Sequence, residues 1–161
     1  MLEEIHKVIL MTVMPSVEAR AAVAYVVIFL ENKSPLIPLL LSLPTIIVGL
    51  IVYRLLDFLE REIVGGFLSK ISFIRKVYFK YIIHARNKSR KYVEKYGQVG
   101  LILFIAIPLP GSGAWTGALV AKLFNIDFAK TVISIVVGVI LSSYISYIAS
   151  MLGIGLVELI V

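Results

Sequence analysis

Apolar positions in this chain fall into long blocks rather than into the short alternations of a soluble core. No charged residue occurs between Leu36 and Tyr53, and none between Thr131 and Val157. A helix that crosses the hydrocarbon core of a bilayer needs roughly 20 apolar residues, so each block predicts a transmembrane helix. Two further apolar segments are interrupted. Ile5 to Leu30 is broken at Pro15 and carries Glu18 and Arg20 just beyond it. Val99 to Phe124 is broken by the run from Pro108 to Gly113. Between the halves lies a charged block, Glu60 to Tyr96, in which lysine and arginine far outnumber acids.

The order repeats: a proline-broken apolar segment, then a charge-free span, on each side of the basic block. This divides one membrane domain into a first repeat (1–57), a basic interfacial linker (58–97) and a second repeat (98–161). The broken segments also align. Pro15-Ser-Val-Glu-Ala-Arg-Ala-Ala-Val-Ala24 lies against Pro110-Gly-Ser-Gly-Ala-Trp-Thr-Gly-Ala-Leu119, with proline on proline and Ala19 on Ala114. Paired Gly/Pro-interrupted segments in corresponding halves point to a transporter binding site.

Two readings of the broken segments stand side by side. They can cross the membrane as kinked helices, giving four full spans and parallel halves. They can instead dip in and return as re-entrant hairpins, the reading we favour, because proline and glycine break the helix and non-helical backbone at membrane depth must be buried in protein or line a cavity. Each half then crosses once. The halves are inverted, and the hairpin tips meet near the midplane. The expected fold is therefore all-α and integral to the membrane: two inverted repeats, each a re-entrant helical hairpin plus a transmembrane helix, joined by a cytoplasmic amphipathic basic segment. Positive residues near span ends stay cytoplasmic. That places the linker inside the cell membrane and, for hairpins, both termini and Asn32 outside.

Composition sharpens this. The 161 residues are 60% hydrophobic and only 16% charged, against about 25% charged in soluble domains. Without cysteine, neither a disulfide framework nor a thiolate metal site is available. The N-terminus has Glu3 and Glu4 where a secretory signal has basic residues. No triad, metal-ligand cluster or nucleotide loop occurs, so no enzyme, metal or cofactor is expected. The basic block, with apolar residues at three- and four-residue spacing, reads as an interfacial helix against anionic lipid headgroups rather than as a nucleic-acid surface.

The candidate chemistry sits at the breaks. A charge in the bilayer costs several kcal/mol, roughly 2.5–3.5 on insertion scales, and normally faces a cavity or a partner. Glu18 can exchange a proton, and Arg20 can hold a phosphate or carboxylate in a bidentate grip; a local structural ion pair is the alternative. A helix can begin near Ala114, its free N–H groups favouring an anion, with Ser112 and Thr116 adding hydroxyls. Pro15, Pro110, Gly111 and Gly113 shape the two tips. Close packing through Gly113-x-x-x-Gly117 is the plainer alternative, and Trp115 reads as packing. Arg54 and Asp57, one turn apart at the end of the first span, form an interfacial pair or a gate. Ser134, Gly138, Ser142, Ser146 and Ser150 are four apart and form one small-residue face for tight packing against another span or another subunit, a dimer being the favoured oligomer. His6 and His84 are isolated and take no role.

At Pro15-Ser-Val-Glu-Ala-Arg-Ala-Ala-Val-Ala-Tyr25 and Ile107-Pro-Leu-Pro-Gly-Ser-Gly-Ala-Trp-Thr-Gly117 the chain resembles the small multidrug export family, itself distantly similar to the DedA and VTT-domain membrane proteins. The DedA resemblance implies two re-entrant hairpins, inverted repeats, proton coupling and movement of lipids, including a polyprenyl-phosphate carrier. By that resemblance Glu18 corresponds to the acidic residue of the first hairpin. DedA proteins also place essential arginines in and after the second hairpin. Here the first basic residue after it is Lys122, so Arg20 would have to supply the buried cation. The function expected is a proton-coupled transporter of an amphipathic anionic lipid; a multidrug/proton exporter and a non-transporting scaffold are the alternatives.

Overall fold

The computed structural model describes residues 2–15, 17–64, 83, 89–90, 93–108 and 111–160. The described residues form helices and their connections: α1 (Leu2–Val13), α2 (Glu18–Phe29), α3 (Ile37–Val64), α4 (93–106), α5 (Ala114–Leu123) and α6 (Phe128–Ile160). Most of the basic linker lies outside the described residues, as does Pro110, and the side chain of Asp57 is not among those described.

Each boundary has a local cause. Pro15 disfavours helical backbone at the residue before it, and α1 stops at Val13. Pro38 falls in the first turn of α3, where its missing N–H costs no bond. Pro44 lies inside α3 and removes one bond of the ladder. The end of α5 is closed by Asn125 at φ 51°. Asn125 N–H donates to Lys122 O at 3.0 Å and Ile126 N–H to Ala121 O at 2.8 Å, a Schellman closure. Asp127 then caps α6, its carboxylate accepting from Ala129 N–H at 3.0 Å.

Lengths separate the helices into two kinds. Ile37–Leu56 and Phe128–Gly153 are long and apolar enough to cross a membrane. Helices α1 and α2 have 12 residues each and α5 has 10, about 15–18 Å at 1.5 Å per residue, well short of the ~30 Å hydrocarbon core. Helices α1 and α2 run antiparallel: the Tyr25 hydroxyl, late in α2, donates to Glu4, early in α1, at 2.7 Å.

Packing is reciprocal between the halves. Among α1, α2, α3, α5 and α6, the richest contacts are α2 against α6 and α5 against α3, so each half's second short helix lies on the other half's long helix. Small residues allow the approach. A Cβ on Gly49 of α3 would come within 2.8 Å of the Ala114 Cβ, and one on Gly138 of α6 within 2.7 Å of the Ile105 Cβ. Ser134, Ser142 and Ser150 are buried with Gly138 facing Ile105, so much of the small-residue face packs within the chain, as expected for helices that meet through small residues. The large apolar residues point outward instead. Leu40, Leu43, Ile47, Ile51 and Leu55 on α3, and Ile133, Leu141, Ile145, Ile148 and Leu152 on α6, are exposed. Exposed stripes of this extent on a soluble monomer are rare; lipid is the solvent that suits them.

Candidate functional site

The site forms where the α1–α2 turn meets the start of α5. Glu18 opens α2 with φ 56°, a left-handed conformation that costs an L-residue about 1–2 kcal/mol. Such strain persists only where surrounding contacts hold it. Here they do. The Glu18 carboxylate accepts Ala114 N–H at 3.0 Å and Trp115 N–H at 3.4 Å. It therefore caps α5 from 96 residues away, satisfying orphan donors of the first turn and placing a negative charge at the positive end of the helix dipole. Glycine at 113 is required for this: a Cβ there would overlap the Glu18 carboxylate.

Arg20 lies two residues along α2. Its Nη1 donates to the Ser112 hydroxyl at 3.3 Å, and that hydroxyl donates to Ile107 O at 2.7 Å. Ser112 thus ties the guanidinium to the end of the α4 segment. Gly111, at φ 73°, makes the turn between them, a conformation glycine adopts freely. Glu18 and Arg20 are only 4% and 8% exposed, and both line the same small cavity.

A third element completes the junction. The Thr45 hydroxyl, next to Pro44 on α3, accepts Ala19 N–H at 3.0 Å and donates to Thr12 O at 2.6 Å. One side chain thereby satisfies an orphan donor at the start of α2 and a carbonyl at the end of α1. Sequence reasoning missed this role. The available signal was a threonine beside a proline inside an otherwise apolar helix.

Of the residues singled out from sequence, the structure brings Glu18, Arg20, Gly111, Ser112, Gly113 and Thr116 to one region, with Thr116 buried in the first turn of α5. Pro15 is exposed in the α1–α2 turn. Arg54 is exposed and lies elsewhere, its guanidinium 4.1 Å from the Phe128 ring centroid. Lys122 sits 4.0 Å over Tyr53, whose ring packs on Phe128 at 5.4 Å. These aromatic contacts join α3, α5 and α6 at that end. Among the described residues, no group of three His, Cys, Asp or Glu side chains is arranged to hold a metal ion.

The buried charged junction lies beside two helices long and apolar enough to cross a membrane. Residues 18–145 match the family described as "Putative small multi-drug export protein", and the chain belongs to that family. The match begins at Glu18 and takes in every buried contact of the tip junction except those made by Thr12. No curated protein and no solved structure matches the chain.

Proposed function

We infer that the protein is a proton-linked transporter whose site admits one negative charge at a time at the start of α5, supplied either by Glu18 or by the anionic head of an amphipathic substrate. The observation that carries this reading is the seat of the Glu18 carboxylate. A helix N-terminus with free N–H groups binds phosphate and carboxylate readily, and here an internal anion holds that seat. Protonation of Glu18 weakens its hold, because a neutral carboxyl is the poorer acceptor. The N–H groups of Ala114 and Trp115, with Arg20 swinging from Ser112, then receive an anionic headgroup. Loss of the proton returns Glu18 to the cap and expels the anion. Proton and anion thus move together by charge balance.

Two features support the membrane geometry this requires. The short helices cannot span alone, which suits re-entrant hairpins with α3 and α6 as the two crossings. The reciprocal packing of α2 on α6 and α5 on α3 suits inverted halves related by an axis through the tip junction. In this arrangement the basic linker lies on the cytoplasmic side of the cell membrane, and the exposed faces of α3 and α6 meet lipid or a second copy of the chain.

The substrate class we assign is a lipid phosphate, such as a polyprenyl phosphate. The family description favours a second reading, export of cationic drugs, in which Glu18 would alternate between a proton and a cation. Against it stand the engagement of the carboxylate by backbone donors and the nearby charge of Arg20. Proteoliposomes with an internal pH dye separate the two. Addition of a short-chain polyprenyl phosphate should drive proton movement in the wild type and none in Glu18→Gln. Ethidium should drive none. Ethidium-driven proton exchange with no response to the lipid would make the protein a drug exporter.

A further inference from the structure

Beside Glu18 lies a cavity of about 10 Å³ lined by Glu18, Arg20, Thr45, Ser142 and Ser143 together with apolar Ala19, Ile105 and Val139. That is about the volume one water molecule needs. The two serines distinguish it from a packing defect. Elsewhere on α6, serine hydroxyls donate back into their own helix: Ser134 to Lys130 O at 2.7 Å and Ser150 to Ser146 O at 2.8 Å, the usual behaviour of serine inside a helix. Ser142 and Ser143 do not. They are 5% and 0% exposed, and their hydroxyls have no hydrogen-bond partner among the described residues. Buried polar groups are rarely left in that state without an ordered water or ligand.

We propose that Ser142 and Ser143 hold a single buried water in this cavity, and that this water is the immediate proton partner of Glu18. The lining meets the requirement of two to four polar partners for a buried water: two hydroxyls from α6, the Thr45 hydroxyl from α3, and the charged pair from α2. The charged groups facing the cavity are Glu18 and Arg20; α3, α4 and α6 contribute only neutral side chains to it. The positive charge of Arg20 opposes a metal cation at the same place. In the transfer step the water gives a proton to the carboxylate as it accepts one from a hydronium ion of the solvent, so it ends unchanged and one proton has moved. The proton role rests on the transporter reading above; the water site does not.

The test is infrared spectroscopy of the full-length protein in lipid, exchanged between ordinary water and oxygen-18 water. A water held by fixed hydrogen-bond partners away from bulk solvent gives an O–H stretching band of its own, which shifts with the heavier oxygen. We expect that band in the wild type, its loss in the Ser142→Ala/Ser143→Ala double variant, and its retention in Ser134→Ala, whose hydroxyl serves its own helix. A wild type without the band, or a double variant that keeps it, overturns the proposal. The carboxyl band that disappears in Glu18→Gln, followed over a pH series in the same samples, reads the proton role separately. Its titration midpoint should move in the double variant and stay in Ser134→Ala. A serine-dependent water band beside a carboxyl band that never titrates would leave the water site standing, overturn its role as proton partner and remove the transporter reading.

Discussion

The first hairpin brings a carboxylate, a guanidinium and a strained backbone to the centre of the molecule, whereas the second brings glycines, one serine and a helix start with open N–H groups. The alignment that sets Ala19 against Ala114 also sets Glu18 against Gly113. In the structure these two aligned positions meet, and a side chain on the second would occupy the space taken by the carboxylate of the first. The helix starts are treated differently as well. Ala19 N–H is met by the neutral hydroxyl of Thr45, and Ala114 N–H by the charge of Glu18. Aligned positions therefore carry different backbones and different chemistry: Glu18 stands at φ 56° and supplies a carboxylate, Gly113 stands at φ -92° and leaves room for it.

Substitutions that erase this difference should have the largest effects. Glu18→Ala removes the cap of α5 and leaves Arg20 buried without its acidic neighbour. Leaving the Ala114 and Trp115 N–H groups unmet costs about 1–3 kcal/mol each, so we expect a large fall in detergent melting temperature along with loss of transport. Gly113→Ala makes the second tip resemble the first. Overpacking costs roughly 1–3 kcal/mol, and the displaced carboxylate should reduce transport more than it reduces stability. Thr45→Val keeps shape but leaves a donor and an acceptor of the first hairpin unmet, a loss of about 1–3 kcal/mol readable by thermal shift. The smallest effect belongs to the open end of the same hairpin. Hydrogen bonds from Lys7 and then Tyr25 hold the half-buried Glu4 carboxyl below its ordinary value. A lowered folded value means that this stability is present at neutral pH and is lost as pH falls through the acid range. Tyr25→Phe should weaken that acid dependence slightly and leave transport unchanged, checked by melting curves across an acid pH series.

The order of segments, the breaks at Pro15 and at residues 108–113, and the start of α5 at Ala114 were legible because proline, glycine and uninterrupted apolar runs act locally. Glu18 and Arg20 stood out because charge is rare in such surroundings. Their relation to the other half was not legible. The open N–H groups of α5 invite an external anion when read along the chain, yet their partner comes from the other hairpin, and only the three-dimensional packing brings it there. Ser142 read as one member of a packing stripe and Ser143 as nothing. Which serines bond back into their helix depends on side-chain rotamer and neighbours, and residue spacing does not encode that. The role of Thr45 was hidden for a similar reason: its two partners lie at the ends of two other helices.

The central claim is that Glu18 and an anionic substrate compete for one seat, and equilibrium binding tests it most directly. A fluorescent short-chain polyprenyl phosphate would be titrated into wild type and Glu18→Gln over a range of pH. Wild-type binding should tighten as pH falls, and Glu18→Gln should bind at least as tightly as the acidified wild type, keeping only the pH dependence of the phosphate's own second ionisation. Weaker binding by Glu18→Gln at every pH, or the full wild-type pH profile in Glu18→Gln, would contradict this competition.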